Sequence, residues 1–126
     1  MPIINRKPIK EKNIPYIKER DIKTSEFYGS NAWRRFRTTF LSLHPICECC
    51  LEHGYVTPST DVHHKIPWMR GKNEEEQWNL FLDEKNCMSL CERCHIGLHN
   101  KDREYNMGCL DSLTETEYNY IHGKNY

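Results

Sequence analysis

The sequence has no run of about 18 consecutive apolar residues, so no part of its 126 residues is expected to form a membrane-spanning helix. Its first residues also lack the apolar stretch of a signal peptide, which leads us to expect a soluble, cytoplasmic protein. Hydrophobic residues are scarce, at 37%, and this predicts a small core. We therefore expect one small domain that needs a source of stability in addition to hydrophobic packing.

Net charge is absent as well, because 18 Lys and Arg balance 18 Asp and Glu. A zero balance argues, at face value, against a protein that binds nucleic acid. The charge is unevenly distributed, however. Residues 1–40 carry ten basic and four acidic residues, a net charge of +6, and the remainder carries eight against fourteen, a net charge of −6. The basic N-terminal third can therefore attract phosphate groups.

The N-terminal part of the chain is predicted to contain an extended arm followed by a helix. Pro2, Pro8 and Pro15 block a long helix, so residues 1–27 are predicted to form an extended basic arm. Ser30 is a suitable N-cap for a helix over residues 31–43, whose apolar positions recur every three or four residues: Trp33, Phe36, Phe40 and Leu43. This spacing predicts that the aromatic face of the helix belongs to the core.

The rest of the chain is predicted to form short strands, a loop and two helices. Residues 55–57 and 61–66 are β-prone and predict a two-stranded ribbon, and the polar residues 69–79 predict a loop. A helix is predicted over residues 88–103. Residues 107–126 are predicted to form a tail with one short helix near residues 112–121.

Two cysteine pairs have the spacing of metal ligands. Cys47 and Cys50 form one C-x-x-C pair, and Cys91 and Cys94 form the other. Four thiolates in two such pairs match a closed tetrahedral zinc site, and an odd total of seven cysteines fits full disulfide pairing badly. Metal binding would supply folding free energy that the small core lacks.

The spacing alone leaves the ligand set open. A site in which Cys49, His44 or His53 replaces one thiolate remains compatible with the sequence. Cys87 and Cys109 have no partner at ligand spacing, and we expect them to be packing residues.

Two closely spaced pairs of histidines, His63 with His64 and His95 with His99, accompany the cysteine pairs. His95 and His99 are four residues apart, so both rings can address one ion from the same face of a helix. His63 and His64 are adjacent on a predicted strand and should point in different directions, so that one can bind metal while the other does not. Because four thiolates already complete the zinc site, these histidines are available for a second, catalytic site.

This order of residues resembles the HNH endonucleases, also known as ββα-metal or His-Me finger nucleases. The resemblance rests on Cys47-x-x-Cys50, on residues 63–67 (His-His-Lys-Ile-Pro), and on Asn86 followed by Leu90-Cys91-x-x-Cys94-His95. The three name-giving residues would be His64, Asn86 and His95. Residues 28–47 further resemble small HNH proteins of tailed phages and prophages, which are often encoded beside the packaging terminase.

The resemblance implies a small α+β fold, with a ββα-metal core and a four-cysteine zinc site flanked by an N-terminal helix, over residues 28–106. It implies that His64 is the general base and that Asn86 braces the loop that orients it. His63 and His95 would hold one divalent cation, and His99 is an additional candidate ligand. Many members have Asp at the position of His63, so Mn²⁺, Ni²⁺ or Zn²⁺ is expected to suit the site better than Mg²⁺.

We therefore expect a metal-dependent DNA endonuclease that nicks DNA or cuts both strands. Its partners would be DNA and, by the resemblance, a phage terminase, in the cytoplasm of a bacterial or phage-infected cell, with the protein a monomer or weak dimer. The candidate DNA contacts are Arg34, Arg35, Arg37 and Lys65. The alternative is a zinc-stabilised module that binds DNA or protein without catalysis.

Overall fold

Eight helices and strands and two 3-10 turns make up the part of the chain that the computed structural model describes, residues 19–105 and 112–123. The helices are α1 (Glu19–Tyr28), α2 (Asn31–Leu43), α3 (Glu48–Glu52), α4 (Glu74–Phe81), α5 (Glu92–Tyr105) and α6 (Glu115–Ile121). The strands are β1 (Asp61–His64) and β2 (Cys87–Leu90), and the 3-10 turns are Trp68–Arg70 and Glu84–Asn86. No helix of these residues is long and apolar enough to cross a membrane.

The two strands pair in antiparallel orientation, with His63 opposite Met88 and His64 opposite Cys87. Successive side chains of a strand point to opposite faces, so the two adjacent histidines are directed into different environments. Helix α5 follows β2 after one residue and packs against β1, which completes a β-β-α unit. The predicted small α+β fold is confirmed.

A separate hydrophobic cluster lies on each side of this unit. The first, which we call the cysteine-rich core, contains Cys47, Cys49, Cys50, Met88, Leu90, Cys91, Cys94, Leu98, Leu113 and Tyr118. The second, the aromatic core, contains Phe27, Trp33, Phe40, Val62, Trp68, Phe81 and Cys87. Cys87 is thus a packing residue, as predicted, while Cys109 lies outside the described residues.

The N-terminal helices build the aromatic core. Ser30 caps α2 by accepting a hydrogen bond from the Trp33 amide, so the predicted start of the helix is confirmed. Trp33 and Phe40 are buried as predicted, and Phe36 packs against them, but Leu43 is 63% exposed at the last turn. Phe27 of α1 lies in this core with its ring stacked on Trp68 at a centroid distance of 4.3 Å.

The predicted extended arm was wrong for residues 19–27, which are helical in α1. All three prolines precede this helix and therefore do not interrupt it. Residues 1–18 lie outside the described residues.

The predicted ribbon was wrong in its partner. β1 pairs with β2, and residues 55–57 form no strand. Thr57 instead accepts a hydrogen bond from the Cys47 amide at 2.7 Å, and Pro58 forms an isolated bridge with Ile46. This segment therefore closes the loop that carries the first cysteine pair.

Two further boundaries differ from the predictions. Residues 74–81 form α4, because Asn73 caps the helix and Glu74–Glu76 occupy its first turn, where carboxylates are favoured by the helix dipole. The helix predicted from residue 88 begins at Glu92, since Met88–Leu90 belong to β2. The predicted C-terminal helix is present as α6, with a capping box between Thr114 and Glu117.

Candidate metal centres and catalytic site

The four predicted zinc ligands come together. The sulfur atoms of Cys47, Cys50, Cys91 and Cys94 all lie within 4.8 Å of one another. Cys50 Sγ is 3.8 Å from Cys91 Sγ and 3.7 Å from Cys94 Sγ. Tetrahedral zinc with Zn–S bonds of about 2.3 Å requires sulfur separations of about 3.8 Å. The donor set therefore fits a structural zinc ion.

The chemistry of these thiols also favours a cation. Without an ion the thiols do not ionise alike: burial raises the pKa of Cys91 to about 11, whereas hydrogen bonding, chiefly with Cys94, lowers the pKa of Cys47 to about 4. A bound cation would allow all four to be thiolates at once. Zinc binds thiolates and offsets their charge. The donor set in the structure consists of the four cysteines, and none of the three alternative ligands belongs to it. His53 contacts the Leu113 carbonyl, and His44 contacts Glu84. Cys49 is buried but is not a member of the set.

Helix α6 covers the cysteine centre, which the sequence did not indicate. His122 Nε2 lies 3.2 Å from Cys94 Sγ and 3.9 Å from Cys50 Sγ. Tyr118 is buried and stacks on His53 at a centroid distance of 4.4 Å. An imidazole N–H directed at a metal-bound thiolate orients the ligand and stabilises its charge. No local motif could have revealed this contact, because 28 residues separate His122 from Cys94.

A second donor set is formed by histidines. The ring nitrogens of His63, His95 and His99 lie within 4.8 Å of one another. His95 Nε2 and His99 Nε2 are 2.9 Å apart. Two nitrogens bound at about 2.1 Å to one ion are separated by about 3.0–3.4 Å, depending on the coordination angle. Burial, with a smaller effect of His95, lowers the pKa of His99, which favours the neutral, metal-binding ring. These residues therefore fit one divalent cation.

Asp61 fixes the orientation of His95. The Nδ1–H of His95 donates a hydrogen bond to Asp61 Oδ2 at 3.0 Å, which leaves the lone pair of the neutral ring on Nε2, towards His99. Such carboxylate–histidine pairs are characteristic of histidines that bind metal. The sequence does carry a signal for this contact, because Asp61 is two residues before His63 and therefore on the same face of β1.

His64 lies on the opposite face of β1, next to the aromatic core. Its ring stacks on Phe81 at a centroid distance of 5.2 Å and lies 5.6 Å from the Trp33 ring. His64 Nε2–H donates to the Phe81 carbonyl at 2.9 Å, so the basic lone pair of the neutral ring is on Nδ1. Burial lowers the pKa of His64 below its ordinary value, and the nearby His95 lowers it further. The imidazole is therefore neutral and able to accept a proton near pH 7.

Asn86 is buried just before β2 and holds the segment after His64. Its Oδ1 accepts a hydrogen bond from the Ile66 amide at 2.9 Å, and its Nδ2 donates to the carbonyls of Ile66 and Leu80 at 3.0 and 2.9 Å. The Asn86 carbonyl also accepts from the Lys65 amide at 2.7 Å. Only a side-chain amide both donates and accepts in this way, so one residue fixes the backbone at the end of β1.

A pocket of about 310 Å³ brings these groups together. His63, His64, His95 and His99 all line it, together with residues of both cores and their surroundings: Tyr28, Val62, Pro67, Trp68, Leu98 and Asp102. The proposed cation ligands and His64 therefore line one common space.

The four candidate DNA contacts are spread over α2 and the end of β1. Arg34 and Arg35 are exposed on α2, on either side of the line of core aromatics. Arg37 Nη2 donates to the Thr60 carbonyl at 2.7 Å, so this side chain also ties α2 to the residue before β1. Lys65 is partly exposed directly after His64.

Comparisons with known proteins give one family and one solved structure. The family model described as HNH endonuclease matches residues 47–101. The crystal structure of the HNH endonuclease of the deep-sea thermophilic bacteriophage GVE2 with manganese ion is similar to this chain, with a TM-score of 0.58 and 28% sequence identity. The match covers 69% of this chain and 89% of that one. No curated protein sequence matches the chain.

Proposed function

We propose that this protein, whose residues 47–101 match the HNH endonuclease family, is a metal-dependent endonuclease that hydrolyses phosphodiester bonds of DNA. The observation that carries the proposal is a pocket lined by both the histidine donor set and His64. Hydrolysis of a phosphodiester needs a base for the attacking water and positive charge at the phosphate. His64 can serve as the base, and a cation held by the histidine donor set would supply the positive charge.

His64 is the proposed general base. Its Nε2–H is bound to the Phe81 carbonyl, so a proton from water would be accepted at Nδ1. The stacked Phe81 ring and the backbone hydrogen bond together restrict rotation of the imidazole. Asn86 supports this geometry from the other end of the segment, because it fixes the backbone at Ile66, two residues after His64.

His63, His95 and His99 are the proposed ligands of the catalytic cation. When bound, the cation would supply Lewis-acid charge at the phosphate and at the leaving oxygen. The three imidazoles are neutral donors, and imidazole suits borderline transition metals better than it suits Mg²⁺. The similar phage endonuclease was solved with manganese, and we propose Mn²⁺ as an effective ion for this protein. Ni²⁺ and Zn²⁺ are further candidates at this site, and zinc is the proposed ion at the cysteine centre.

Binding of DNA is proposed to use the positive charge of α2 together with Lys65. Association with a phage terminase, location in a bacterial or phage-infected cell, and a monomeric or weakly dimeric state are proposed from the family resemblance. A single small β-β-α unit contacts mainly backbone and groove shape, so sequence preference is expected to be weak.

Replacing both Arg34 and Arg35 by alanine should weaken DNA binding. Each lost phosphate contact lowers the slope of log affinity against log salt by about 0.9, so the double variant should lose about two units of slope if both side chains contact phosphate. Fluorescence anisotropy with a labelled duplex, in Ca²⁺ to prevent cleavage, measures this slope. The matched control replaces Lys72 and Lys85, two exposed lysines outside α2, and should change the slope less. Equal losses in the two double variants would contradict a role for α2.

The function itself is tested by incubating zinc-loaded protein with supercoiled plasmid and Mg²⁺, Mn²⁺, Ni²⁺, Zn²⁺ or EDTA. We expect conversion to nicked or linear DNA with Mn²⁺, slower conversion with Mg²⁺ and none with EDTA. If the protein binds the plasmid and slows its migration in the gel but cuts it with none of these ions, the alternative of a zinc-stabilised binding module would be favoured.

A further inference from the structure

One acidic side chain beside the histidine donor set, Asp102, has a carboxylate oxygen without a hydrogen-bond donor. Asp102 lies on α5, and its Oδ1 is the one buried side-chain nitrogen or oxygen without a hydrogen-bond partner among the residues that the structure describes. Buried carboxylate oxygens are almost always satisfied, because the loss of hydration is costly. An orphaned atom of this kind indicates a ligand, a water or an ion that completes its surroundings.

The position of Asp102 places this oxygen beside the histidine donor set. It follows His95 by seven residues and His99 by three, so the three side chains lie along one face of α5. Asp102 also lines the pocket that His63, His64, His95 and His99 line. The neighbouring Lys101 is bound to Glu117 of α6 at 2.9 Å, and none of the ion pairs among the described residues involves Asp102.

Asp102 lies outside the compact set of donor atoms. The donor atoms that lie within 4.8 Å of one another belong to His63, His95 and His99 alone, and Asp102 is not one of this set. Three histidines leave at least one position of a four-coordinate ion, and three of an octahedral one, for water or phosphate. A water molecule at such a position can donate a hydrogen bond to a carboxylate that does not touch the ion.

We propose that Asp102 is a positioning residue of the cation site, whose Oδ1 accepts a hydrogen bond from a water molecule bound to the ion. It supplies the negative charge that the three neutral histidines lack. The two carboxylates have different partners. Asp61 accepts a hydrogen bond from the ligand His95. Asp102 would accept one from a water molecule that completes the coordination of the ion. This inference rests on the proposed function of the histidine set as a cation site.

Asp102 should also affect the thermal stability of the protein, in opposite directions without and with Mn²⁺. Asp102 is half-buried, and its Oδ1 has lost its contact with solvent without gaining a hydrogen-bond donor, whereas a neutral amide of the same size is less costly to place there. Asp102→Asn should therefore melt at the same or a higher temperature than the wild type when no Mn²⁺ is present. With Mn²⁺ added, the wild type should gain more in melting temperature than the variant, because it binds the ion more tightly.

Calorimetric titration of zinc-loaded protein with Mn²⁺, without DNA, tests the inference. Loss of an outer hydrogen-bond partner of a metal site typically weakens affinity about 10–100-fold, so we expect a dissociation constant at least about tenfold higher in Asp102→Asn. Asp21→Asn, which removes an exposed carboxylate of α1, is the charge-matched control and should bind as the wild type does. His95→Ala identifies the site, because it should abolish this binding.

The outcomes separate the inference from the proposed function. Wild-type affinity in Asp102→Asn, or an equal loss in Asp21→Asn, would overturn the role of Asp102 while the proposed function stands. A wild-type protein whose Mn²⁺ binding is unaffected by His95→Ala would overturn both, because the histidine set would then hold no cation.

Discussion

Replacing His64 by glutamine should lower the rate of DNA cleavage by about 10²–10⁴-fold, the range that a general base usually contributes. Glutamine retains an amide N–H for the Phe81 carbonyl, so the local structure is expected to persist while the proton acceptor is lost. The measurement is a single-turnover cleavage rate at saturating Mn²⁺, together with Mn²⁺ affinity and zinc content. Affinity and zinc content should be unchanged, since His64 belongs to neither donor set.

His44→Gln provides the control for His64→Gln. His44 is a partly exposed histidine that pairs with Glu84 at 3.3 Å, and it lines no part of the catalytic pocket. Its variant should cleave at the wild-type rate. Undiminished cleavage by a folded His64→Gln variant would exclude this residue as the base.

Removing one thiolate of the cysteine centre should unfold the protein. Structural zinc in small domains contributes about 10 kcal/mol or more to folding, whereas a whole domain is stable by only about 5–15 kcal/mol. Cys94→Ser should therefore lose stoichiometric zinc and cooperative unfolding. Zinc content by mass spectrometry under native conditions and the thermal unfolding transition by circular dichroism measure both effects.

Cys87→Ala is the comparison that isolates the metal. Cys87 is also buried, but it packs in the aromatic core, and burial raises the pKa of its thiol to about 12. This variant should keep its zinc and lose only the stability of a small cavity. If Cys94→Ser retained both zinc and the wild-type melting temperature, the four-cysteine centre would not brace the fold.

The sequence was sufficient to locate both donor sets, because ligand spacing is a local property. The two C-x-x-C pairs assemble as predicted, and His95 and His99 meet on one face of α5. The opposite directions of His63 and His64 also follow from strand geometry alone. These features depend on residues that are at most four positions apart within each element.

Strand pairing was predicted less well. The stripe of Leu90, Cys94 and Leu98 predicts a helix from residue 88, because a short segment that is buried throughout has the same pattern in a helix and in a strand. As a result, the true partner of β1 was not identified. The polar composition of residues 69–79 predicts a loop, although Asn73 and the three glutamates that follow it are typical of the start of a helix, α4.

Contacts between distant residues could not be predicted from spacing. His122 approaches Cys94 only because α6 packs on α5, where Gly97 leaves room for Ile121: a Cβ at Gly97 would lie 2.9 Å from the Ile121 side chain. The orphaned Oδ1 of Asp102 likewise becomes evident only once its neighbours are placed. Roles that depend on tertiary packing therefore required the structure.

The central claim, that a cation held by the three histidines enables cleavage, is tested most directly by measuring the cleavage rate against Mn²⁺ occupancy. Zinc-loaded wild type and His95→Ala would be titrated with Mn²⁺, with zinc content followed throughout. The account predicts that the wild-type rate rises in proportion to occupancy of one Mn²⁺ site, and that His95→Ala keeps its zinc but loses both that site and cleavage. Cleavage by zinc-loaded protein without added Mn²⁺, at a rate unchanged in His95→Ala, would contradict it.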